Sequence, residues 1–425
     1  MSNQDLDLAT CPLSAVNTSD PVFLQNPHPF YARLRKEAPV FRDEKMGVVF
    51  VNTFDLVRQV CAKPKLFSNK FGAQLRSGAA TEQDPEEVAI MKDGWVVADT
   101  MLTADPPDHT RYRKLCMKAF SYKRVLQMSE YVEKLINELI DDLPQSGKLE
   151  FKGGFANKLP MYVIADALGV PREHIDQFEE WSNAFIVQLS GIAEKPERLW
   201  AARKVVEFQK YFVNVIEEKR ANPTEDVISD LVHADLAEEG DNRKMEYEEL
   251  LSILQQLLVA GNETTAHTLT AGLYFLLTHP EEMEKLQNDP ELINNFVEET
   301  LRYLTPTNNM WRVATEDTEL NGVEIKQNEL LLIRFGSSNR DETKFSDPDK
   351  FDISRENAGS HMAFGAGIHT CIGAQLARKE LQTAFPILLR RLKSMKLDTD
   401  QGELLYLPSV LLRGVLELHI EYEKA

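Results

Sequence analysis

Apolar residues recur at helical spacing through most of the first 305 residues. The pattern begins near Pro29, with Phe30 and Leu34 one turn apart. A short β-like run, Val48 to Val51, follows Gly47, and residues 72–102 mix glycine and proline with one short helical stretch. The pattern predicts a mostly helical body.

One helical pattern, from Tyr247 to Leu277, is unusually long and contains no proline. Its leucines fall on more than one side, which predicts a helix buried through the centre of the protein. His279-Pro280 should end it, and a shorter helix is expected at about 290–304, before Pro306.

After residue 305 the pattern changes to short β-type segments. Asn321-Gly322 predicts a tight hairpin turn within 318–325, and Leu330 to Phe335 predicts another strand. A helix is expected at about 372–395, with Pro386 as a kink, and weak alternation over 411–420 predicts a terminal hairpin. The predicted fold class is mostly α with a smaller β-rich part.

Composition narrows the class of protein. The chain has 425 residues, of which 43% are hydrophobic, enough for a large core. No stretch reaches the roughly 18 uninterrupted apolar residues that span a bilayer, and the polar, acidic N-terminus is neither a signal peptide nor an anchor. Four cysteines without a C-x-x-C pair fit a reducing compartment. A cytoplasmic protein without membrane attachment is therefore predicted.

The net charge of −19 argues against a nucleic-acid partner, which needs a basic surface. Two segments are nevertheless basic. Residues 103–125 carry six Lys or Arg against two Asp, and residues 373–395 carry five against one Glu, a local charge of +4 in each. They form either a docking patch for an acidic partner or a solvated helix face.

Cys371 lies in an apolar, glycine-bearing run, His361-Met362-Ala363-Phe364-Gly365-Ala366-Gly367-Ile368-His369-Thr370-Cys371-Ile372-Gly373. A helix is predicted to begin there, and its free N–H groups should favour a thiolate. Gly365 and Gly367 let the backbone turn sharply beside a flat group. A single soft thiolate suits a haem iron better than zinc, which needs several ligands. The alternative is an ordinary buried cysteine, which is how Cys11, Cys61 and Cys116 are interpreted.

The long helix contains Ala260-Gly261-Asn262-Glu263-Thr264-Thr265. The small Ala260 and Gly261 would let a flat cofactor pack against the helix. Thr264 can bond back to the Ala260 carbonyl or release it, which makes room for a ligand or water. Glu263 is an ionisable group in a buried stretch, so it is either functional or turned to the surface.

Three further features have simple alternatives. Glu299 and Arg302 share a helix face, and His109 and Arg113 follow a good helix start and could hold an anion. Taken alone, each pair is more typical of a solvated surface position. Arg312 stands between apolar neighbours, which indicates a buried anion nearby.

Together these residues resemble the cytochrome P450 family of haem-thiolate monooxygenases. The run 364–373 matches F-G-x-G-x-H-x-C-x-G, and residues 260–265 match A-G-x-[DE]-T-T with Glu263 as the acid. Glu299-x-x-Arg302 matches E-x-x-R, and His109 with Arg113 match H-T-x-x-R. Asn339-Arg340-Asp341 and Phe351-Asp352 match further landmarks in the right order. The resemblance spans roughly residues 25–420, so residues 1–24 are predicted as an irregular segment and 25–425 as the catalytic domain.

The resemblance implies roles for these residues. Cys371 would be the iron ligand of haem b, with Phe364 near the sulfur and Gly373 beside it. The haem propionates would be held by His109, Arg113, Arg312 and His369. Glu299 and Arg302 would be structural, whereas Glu263 and Thr264 would manage protons for O₂ activation. Because several relatives have Asp at the position of Glu263, its role is less certain than that of Thr264.

The family also implies the reaction and its partners. One oxygen atom from O₂ would be inserted into an apolar small molecule such as a terpenoid, steroid or fatty acid. Electrons would pass from NAD(P)H through a reductase to a ferredoxin-type donor, and a monomer is expected. A peroxide-driven enzyme on the same fold and a non-catalytic haem sensor are the alternatives. Neither needs the Glu263-Thr264 pair, which counts against both.

Mostly apolar residues are expected to line the substrate pocket: Trp95, Val96, Val97, Phe185, Leu189, Leu257, Thr307, Asn308, Asn309, Val410 and Leu411. The amides of Asn308 and Asn309 need hydrogen-bond partners. Either one of them binds a substrate oxygen or both bond to the local backbone.

Overall fold

The computed structural model describes residues 7–72, 84–119, 122–190, 193–234, 244–398, 400 and 402–425. The side chains at 118–119, 122–127 and 189–190 are also outside this description. The described helices are α1 (Pro21–Gln25), α2 (His28–Glu37), α3 (Phe54–Cys61), α4 (Pro85–Met91), α5 (Asp108–Ala119), α6 (Tyr122–Asp141), α7 (Lys158–Ala167), α8 (Ile175–Ser190), α9 (Lys195–Ala221), α10 (Val227–Val232), α11 (Tyr247–Thr278), α12 (Pro280–Asn288), α13 (Ile293–Leu304), α14 (Phe335–Ser338) and α15 (Ala374–Arg391).

The described strands are β1 (Val40–Asp43), β2 (Val48–Val51), β3 (Phe67–Ser68), β4 (Ser146–Glu150), β5 (Asn309–Ala314), β6 (Thr318–Leu320), β7 (Val323–Ile325), β8 (Leu330–Arg334), β9 (Leu392–Leu397) and β10 (His419–Lys424). They form a five-stranded sheet in the order β1-β2-β8-β5-β3, a three-stranded sheet in the order β4-β10-β9, and the hairpin β6-β7. Only β2 and β8 pair in parallel among these strands. The fold is mostly α with a smaller β part, as predicted.

Helix α11 is the long central helix that the sequence predicted. Its first turn is fixed by a capping box between Glu246 and Glu249, and the chain leaves it at His279, before Pro280 opens α12. Its N-terminal half packs into one apolar cluster with α5, α8 and α9, and its C-terminal half into a second cluster with α6, α13 and α15. Each fully buried leucine, such as Leu258 or Leu269, contributes about 2 kcal/mol through burial.

Several boundaries differ from the prediction. Helix α15 ends at Arg391, because residues 392–397 form β9 and pair with β10. Pro386 lies inside α15 as expected. Residues 411–420 do not form a separate hairpin: Thr307 bridges to Leu412, Tyr406 bridges to Val415, and β10 begins at His419.

The N-terminal segment also differs from the irregular one predicted for residues 1–24. Helix α1 starts at Pro21, where Asp20 caps it by accepting from the Val22 N–H. Val16 and Phe23 are buried in the core near the five-stranded sheet. The β6-β7 hairpin is as predicted, with Asn321 and Gly322 both at positive φ (51° and 79°).

Candidate active site

The loop before α15 folds tightly around Cys371. Gly365 and Gly367 have φ values of 72° and 71°, which residues with a Cβ adopt reluctantly. A Cβ on Gly367 would lie 2.3 Å from the Cys61 carbonyl oxygen, at the end of α3. The Cys371 N–H donates to the Phe364 carbonyl oxygen at 2.8 Å. The loop therefore needs glycine at 367 to close against α3.

The Cys371 side chain is exposed, whereas Cys11, Cys61 and Cys116 are buried. Desolvation by the surrounding protein nevertheless raises the pKa of the Cys371 thiol. Because solvent reaches this side chain although protein surrounds it, Cys371 lines an internal cleft. The backbone N–H groups of Gly373 and Ala374, at the start of α15, point at the sulfur and oppose this rise in pKa.

Desolvation outweighs the helix N–H groups and the nearby Arg113 and Arg378, so the thiol pKa lies above its usual value. The N–H groups at the helix start favour the thiolate, as expected from the sequence, but they do not offset the desolvation. A bound metal cation is what deprotonates a thiol in such a site. Phe364 lies close to this region, and its ring is covered by the Arg378 guanidinium at 4.5 Å.

Sequence reasoning missed Arg378. It is held by two hydrogen bonds to Glu298, at 2.6 and 2.8 Å. Its position seven residues after Cys371, two turns along α15, was the available signal.

The four residues predicted to bind an anion lie in one region. The rings of His109 and His369 are 4.1 Å apart between centroids, at 48°. The pKa of His369 is lowered to about 3 by desolvation, followed by the charges of His109, Arg312 and Arg113. Such mutual influence requires that all four lie close together.

Asp105 is a nearby carboxylate whose charge acts on Arg312 and His109. Within the described ranges, neither Arg113 nor Arg312 forms an ion pair, although Arg312 is only 3% exposed. The Arg312 Nη1 donates to the Trp311 carbonyl oxygen at 2.7 Å, and its guanidinium also bonds the Cys61 side chain. His109 Nδ1 and His369 Nε2 are buried and have no hydrogen-bond partner in the part of the chain that the structure describes. Carboxylate groups of a bound cofactor would satisfy these groups, so the residues fit haem propionates.

Ala260 and Thr264 form an exposed strip in the otherwise buried helix α11. Ala260 is exposed, and Val259, Gly261 and Thr264 are half-buried, whereas Leu257, Leu258 and residues 265–273 are buried. The Thr264 hydroxyl donates to the Ala260 carbonyl oxygen at 3.0 Å. Ile372, next to Cys371, packs against the cluster that contains Leu257 and Leu258, one turn before this strip.

Gly261 lies on the side of α11 that faces α7. A Cβ on Gly261 would contact Ile164 of α7 at 3.4 Å, an ordinary van der Waals distance. A contact between Gly261 and a cofactor stays a prediction.

Glu263 is buried, at 8% exposure, and not turned to the surface. Burial raises its pKa. Its Oε2 lies 3.4 Å from Nε2 of His267, one turn later on α11. Sequence reasoning missed His267, although the i, i+4 spacing from Glu263 was visible.

Glu299 and Arg302 are buried partners and not a surface pair. Both side chains are 0% exposed, and two hydrogen bonds of 2.7 and 2.8 Å join them. Arg355, which sequence reasoning missed, donates to both Glu299 oxygens at 3.1 Å. Arg302 also donates to the Asn339 carbonyl oxygen, and Asn339 accepts from the Met362 N–H. The cluster thus ties α13 to the segment that enters the cysteine loop.

The predicted pocket residues fall into two groups. Thr307, Asn308, Asn309, Val410 and Leu411 do meet: the N–H groups of both asparagines donate to the Leu411 carbonyl oxygen at 2.8 and 3.1 Å. The Asn309 side-chain amide donates to the Val410 carbonyl oxygen. For this amide the structure favours the local backbone partner. The side-chain oxygens of both asparagines are buried without a partner among the described residues.

The second group does not form one wall. Phe185, at 1% exposure, is packed inside the aromatic cluster of α8 and α9, 5.0 Å from the Phe208 ring. Leu257 is buried in the same cluster. Val96 and Val97 are 78% and 54% exposed, and Trp95 is half-buried against Tyr247. The side chain of Leu189 lies outside the described residues. Phe185 and Leu257 therefore present no free surface to a cavity, contrary to prediction.

No helix among the described residues combines the length and apolar character needed to cross a bilayer. An accessible thiol at a helix start, near two arginines and two histidines, fits the class of haem-thiolate proteins. A family model for cytochrome P450 matches residues 178–414, over half of the chain. The chain belongs to the cytochrome P450 family.

Individual relatives agree over nearly the whole length. The 6-deoxyerythronolide B hydroxylase of Saccharopolyspora erythraea is 34% identical, covering 92% of this chain and 95% of the relative. The steroid C26-monooxygenase of Mycobacterium tuberculosis is 33% identical, covering 92% of each. The structure of cytochrome P450 CYP109Q5 from Chondromyces apiculatus superposes with a TM-score of 0.83 at 33% identity, covering 96% and 98%.

Proposed function

We propose that this cytochrome P450 monooxygenase binds haem b through Cys371 alone and inserts one oxygen atom from O₂ into an apolar small molecule. The main observation that supports this proposal is the accessible Cys371 thiol, toward which two backbone N–H groups point. The bound haem would supply O₂ activation, favoured by electron donation from the thiolate. The protein's own residues would position the haem and the substrate, protect the reaction from competing reactions and supply protons.

His109, Arg113, Arg312 and His369 are proposed to hold the haem propionates. The arrangement supports this because, among the described residues, neither Arg113 nor Arg312 forms an ion pair and two buried ring nitrogens, His109 Nδ1 and His369 Nε2, have no hydrogen-bond partner. Neutralising a dianion there would stabilise the cations and orient the cofactor plane between the Ala260 strip and Cys371.

Glu263 and Thr264 are proposed to deliver protons on the distal side. The Thr264 hydroxyl, now donating to the Ala260 carbonyl oxygen, can rotate to donate to a water or to bound dioxygen. Burial raises the pKa of Glu263, which favours the protonated form that can donate a proton. If Thr264 holds water in place and hydrogen peroxide is not released, the electrons that reach the haem are used to form product.

Electrons are proposed to come from NAD(P)H through a reductase and a ferredoxin-type protein. Lys114 and Lys379 belong to the two basic segments, and Arg113 and Arg378 of the same segments act on Cys371 electrostatically. The basic segments therefore border the cysteine side. A positively charged surface there would attract an acidic donor and shorten the electron path.

The substrate is proposed to be an apolar molecule with at least one oxygen. One relative is named for 6-deoxyerythronolide B and another for a steroid. The unpartnered side-chain oxygens of Asn308 and Asn309 would accept a hydrogen bond, so a hydroxyl is the group we expect to be recognised if substrate reaches them.

The test is isotope labelling in a reconstituted system with haem, ferredoxin, reductase and a steroid or macrolactone panel chosen by spin-state change on binding. With ¹⁸O₂ the product should gain one labelled atom, and omission of ferredoxin should abolish it. Equal turnover with hydrogen peroxide and no electron donor would instead support the peroxide-driven alternative. Haem binding without turnover of any compound that shifts the spin state would support the sensor.

A further inference from the structure

His267 is a buried titratable residue that the proposed reaction has not used. Its side chain is 1% exposed, and it lies on the same face of α11 as Glu263. Neither ring nitrogen has a hydrogen-bond partner among the described residues, and the nearest charged group to Nε2 is the Glu263 carboxyl at 3.4 Å. A small side-chain rotation shortens this distance to a hydrogen bond.

The ring is held in place by a residue far along the chain. A Cβ on Gly414 would lie 2.0 Å from His267 Nδ1 and 2.2 Å from two ring carbons. Gly414 therefore leaves the space that the imidazole occupies beside Glu263. This contact explains why the C-terminal segment has glycine at a buried position where φ is not positive.

The protonation state of the imidazole follows from its surroundings. Desolvation, followed by the charge of Lys152, lowers the pKa of His267 to about 3, so it is neutral at pH 7. A neutral imidazole carries one N–H, and the acceptor within reach is the Glu263 carboxylate at Nε2. The ring can thus donate to the ionised carboxyl, or accept from the protonated one after tautomer exchange.

We propose that His267 is a positioning residue for proton delivery: its Nε2 holds the Glu263 carboxyl and stabilises the negative charge left when Glu263 passes a proton toward Thr264. This role in delivery rests on the proposed monooxygenase function, whereas the contact itself does not. Lys152, on the π-helical segment Lys152–Ala156 packed on α11, and Glu179 of α8 are the other charged groups that act on Glu263. Both stay unchanged in the variants below.

The test measures Glu263 directly, without turnover. Infrared spectra of the resting ferric protein over a pH series report the protonated-carboxyl band, which is assigned to Glu263 by its loss in Glu263→Gln. His267→Leu removes a donor to the charged form, so the apparent pKa of Glu263 should rise by about one unit. The band should then persist to higher pH than in the wild type.

Two matched variants separate this role from packing. His267→Gln keeps an N–H donor near the Nε2 position and should restore most of the wild-type midpoint. Gly414→Ala displaces the ring without altering either partner and should shift the midpoint upward, as His267→Leu does. Circular dichroism verifies folding, and His267→Phe replaces His267→Leu if the latter does not fold.

The proposal would be overturned if the pH midpoint of the Glu263 carboxyl band were unchanged in the folded His267→Leu or His267→Phe variant. It would also be overturned if His267→Leu and His267→Gln shifted this midpoint equally. Neither result bears on whether oxygen is inserted, because the titration needs no electron donor or substrate. Failure of oxygen insertion with the predicted infrared shifts would instead refute the proposed function and leave the Glu263–His267 contact established.

Discussion

The thiol of Cys371 is subject to two opposing effects that act within a few ångströms. Desolvation raises its pKa, whereas two backbone N–H groups and two arginines lower it, and desolvation is the larger. A residue-level motif therefore indicates which atom binds iron. It does not by itself give the charge state, because charge depends on how much water the surrounding loop excludes.

Replacing Cys371 by Ala should remove the thiolate signature of the reduced carbon monoxide complex, the red-shifted Soret band, because no second thiol reaches the cleft. Cys116→Ala is the matched control, since Cys116 is fully buried and should leave the band intact. Retention of the band in Cys371→Ala, with loss in Cys116→Ala, would move the ligand assignment to Cys116.

Thr264→Ala should leave substrate affinity nearly unchanged but lower product per electron severalfold while hydrogen peroxide rises. The physical reason is loss of the hydroxyl that holds water beside Ala260. Thr270→Ala is the control, because the Thr270 hydroxyl makes the same type of bond, to the Ala266 carbonyl oxygen at 2.8 Å, at a fully buried position. Product and peroxide yields per NAD(P)H measure the effect. Full coupling in Thr264→Ala would show that this hydroxyl serves only the core.

Among the elements, α13 has a supporting role that its sequence only partly shows. Its Glu299 and Arg302 form a buried cluster with Arg355, and Arg302 reaches Asn339 in the segment before the cysteine loop. The single negative charge of Glu299 is thus shared by two guanidinium groups, and the cluster fixes the approach to Cys371. Charged groups in such a cluster depend on each other because they are almost completely removed from water.

Glu299→Gln should destabilise the protein by about 3–5 kcal/mol, since it leaves two buried guanidinium groups without an anion. Urea unfolding midpoints and haem retention on a desalting column measure the change. Glu37→Gln breaks the exposed Arg33–Glu37 pair and should leave both measurements unaltered. A midpoint for Glu299→Gln that matches Glu37→Gln would show that Arg302 and Arg355 are satisfied by backbone carbonyls alone.

At the scale of the whole molecule, charge is distributed unevenly. The protein carries a net charge of −19, yet residues 103–125 and 373–395 each have a local charge of +4. These two segments contain Arg113 and Arg378, whose charges lower the pKa of Cys371. An acidic donor is repelled by most of the surface and attracted to this region. Electron transfer should therefore depend on ionic strength.

Lys114→Glu and Lys379→Glu should each slow reduction by the ferredoxin-type donor severalfold at low salt, and the difference from wild type should shrink as salt rises. Lys92→Glu, an exposed position outside both basic segments, is the control and should reduce at the wild-type rate. Stopped-flow reduction under carbon monoxide follows the kinetics. Rates that do not vary with salt in the wild type would refute a docking patch.

The sequence by itself determined the long central helix, the β6-β7 hairpin and the order of the motifs. The apolar period of α11 required a buried central helix, because leucines on several sides cannot all face water. Asn321-Gly322 required a turn with positive φ at both residues. The cysteine loop was readable because its glycines and its thiol are adjacent in the chain.

The tertiary structure alone decided which distant residues share an environment. Gly414 beside His267, Arg355 beside Glu299, and His369 beside His109 lie far apart in sequence, and no local spacing relates them. The degree of burial of each residue also depends on the tertiary structure. Glu263 is buried, Gly261 faces α7, and Phe185 lies inside an aromatic cluster. Local patterns fix backbone conformation, whereas pKa values, cavities and partners depend on desolvation by elements that only folding brings together.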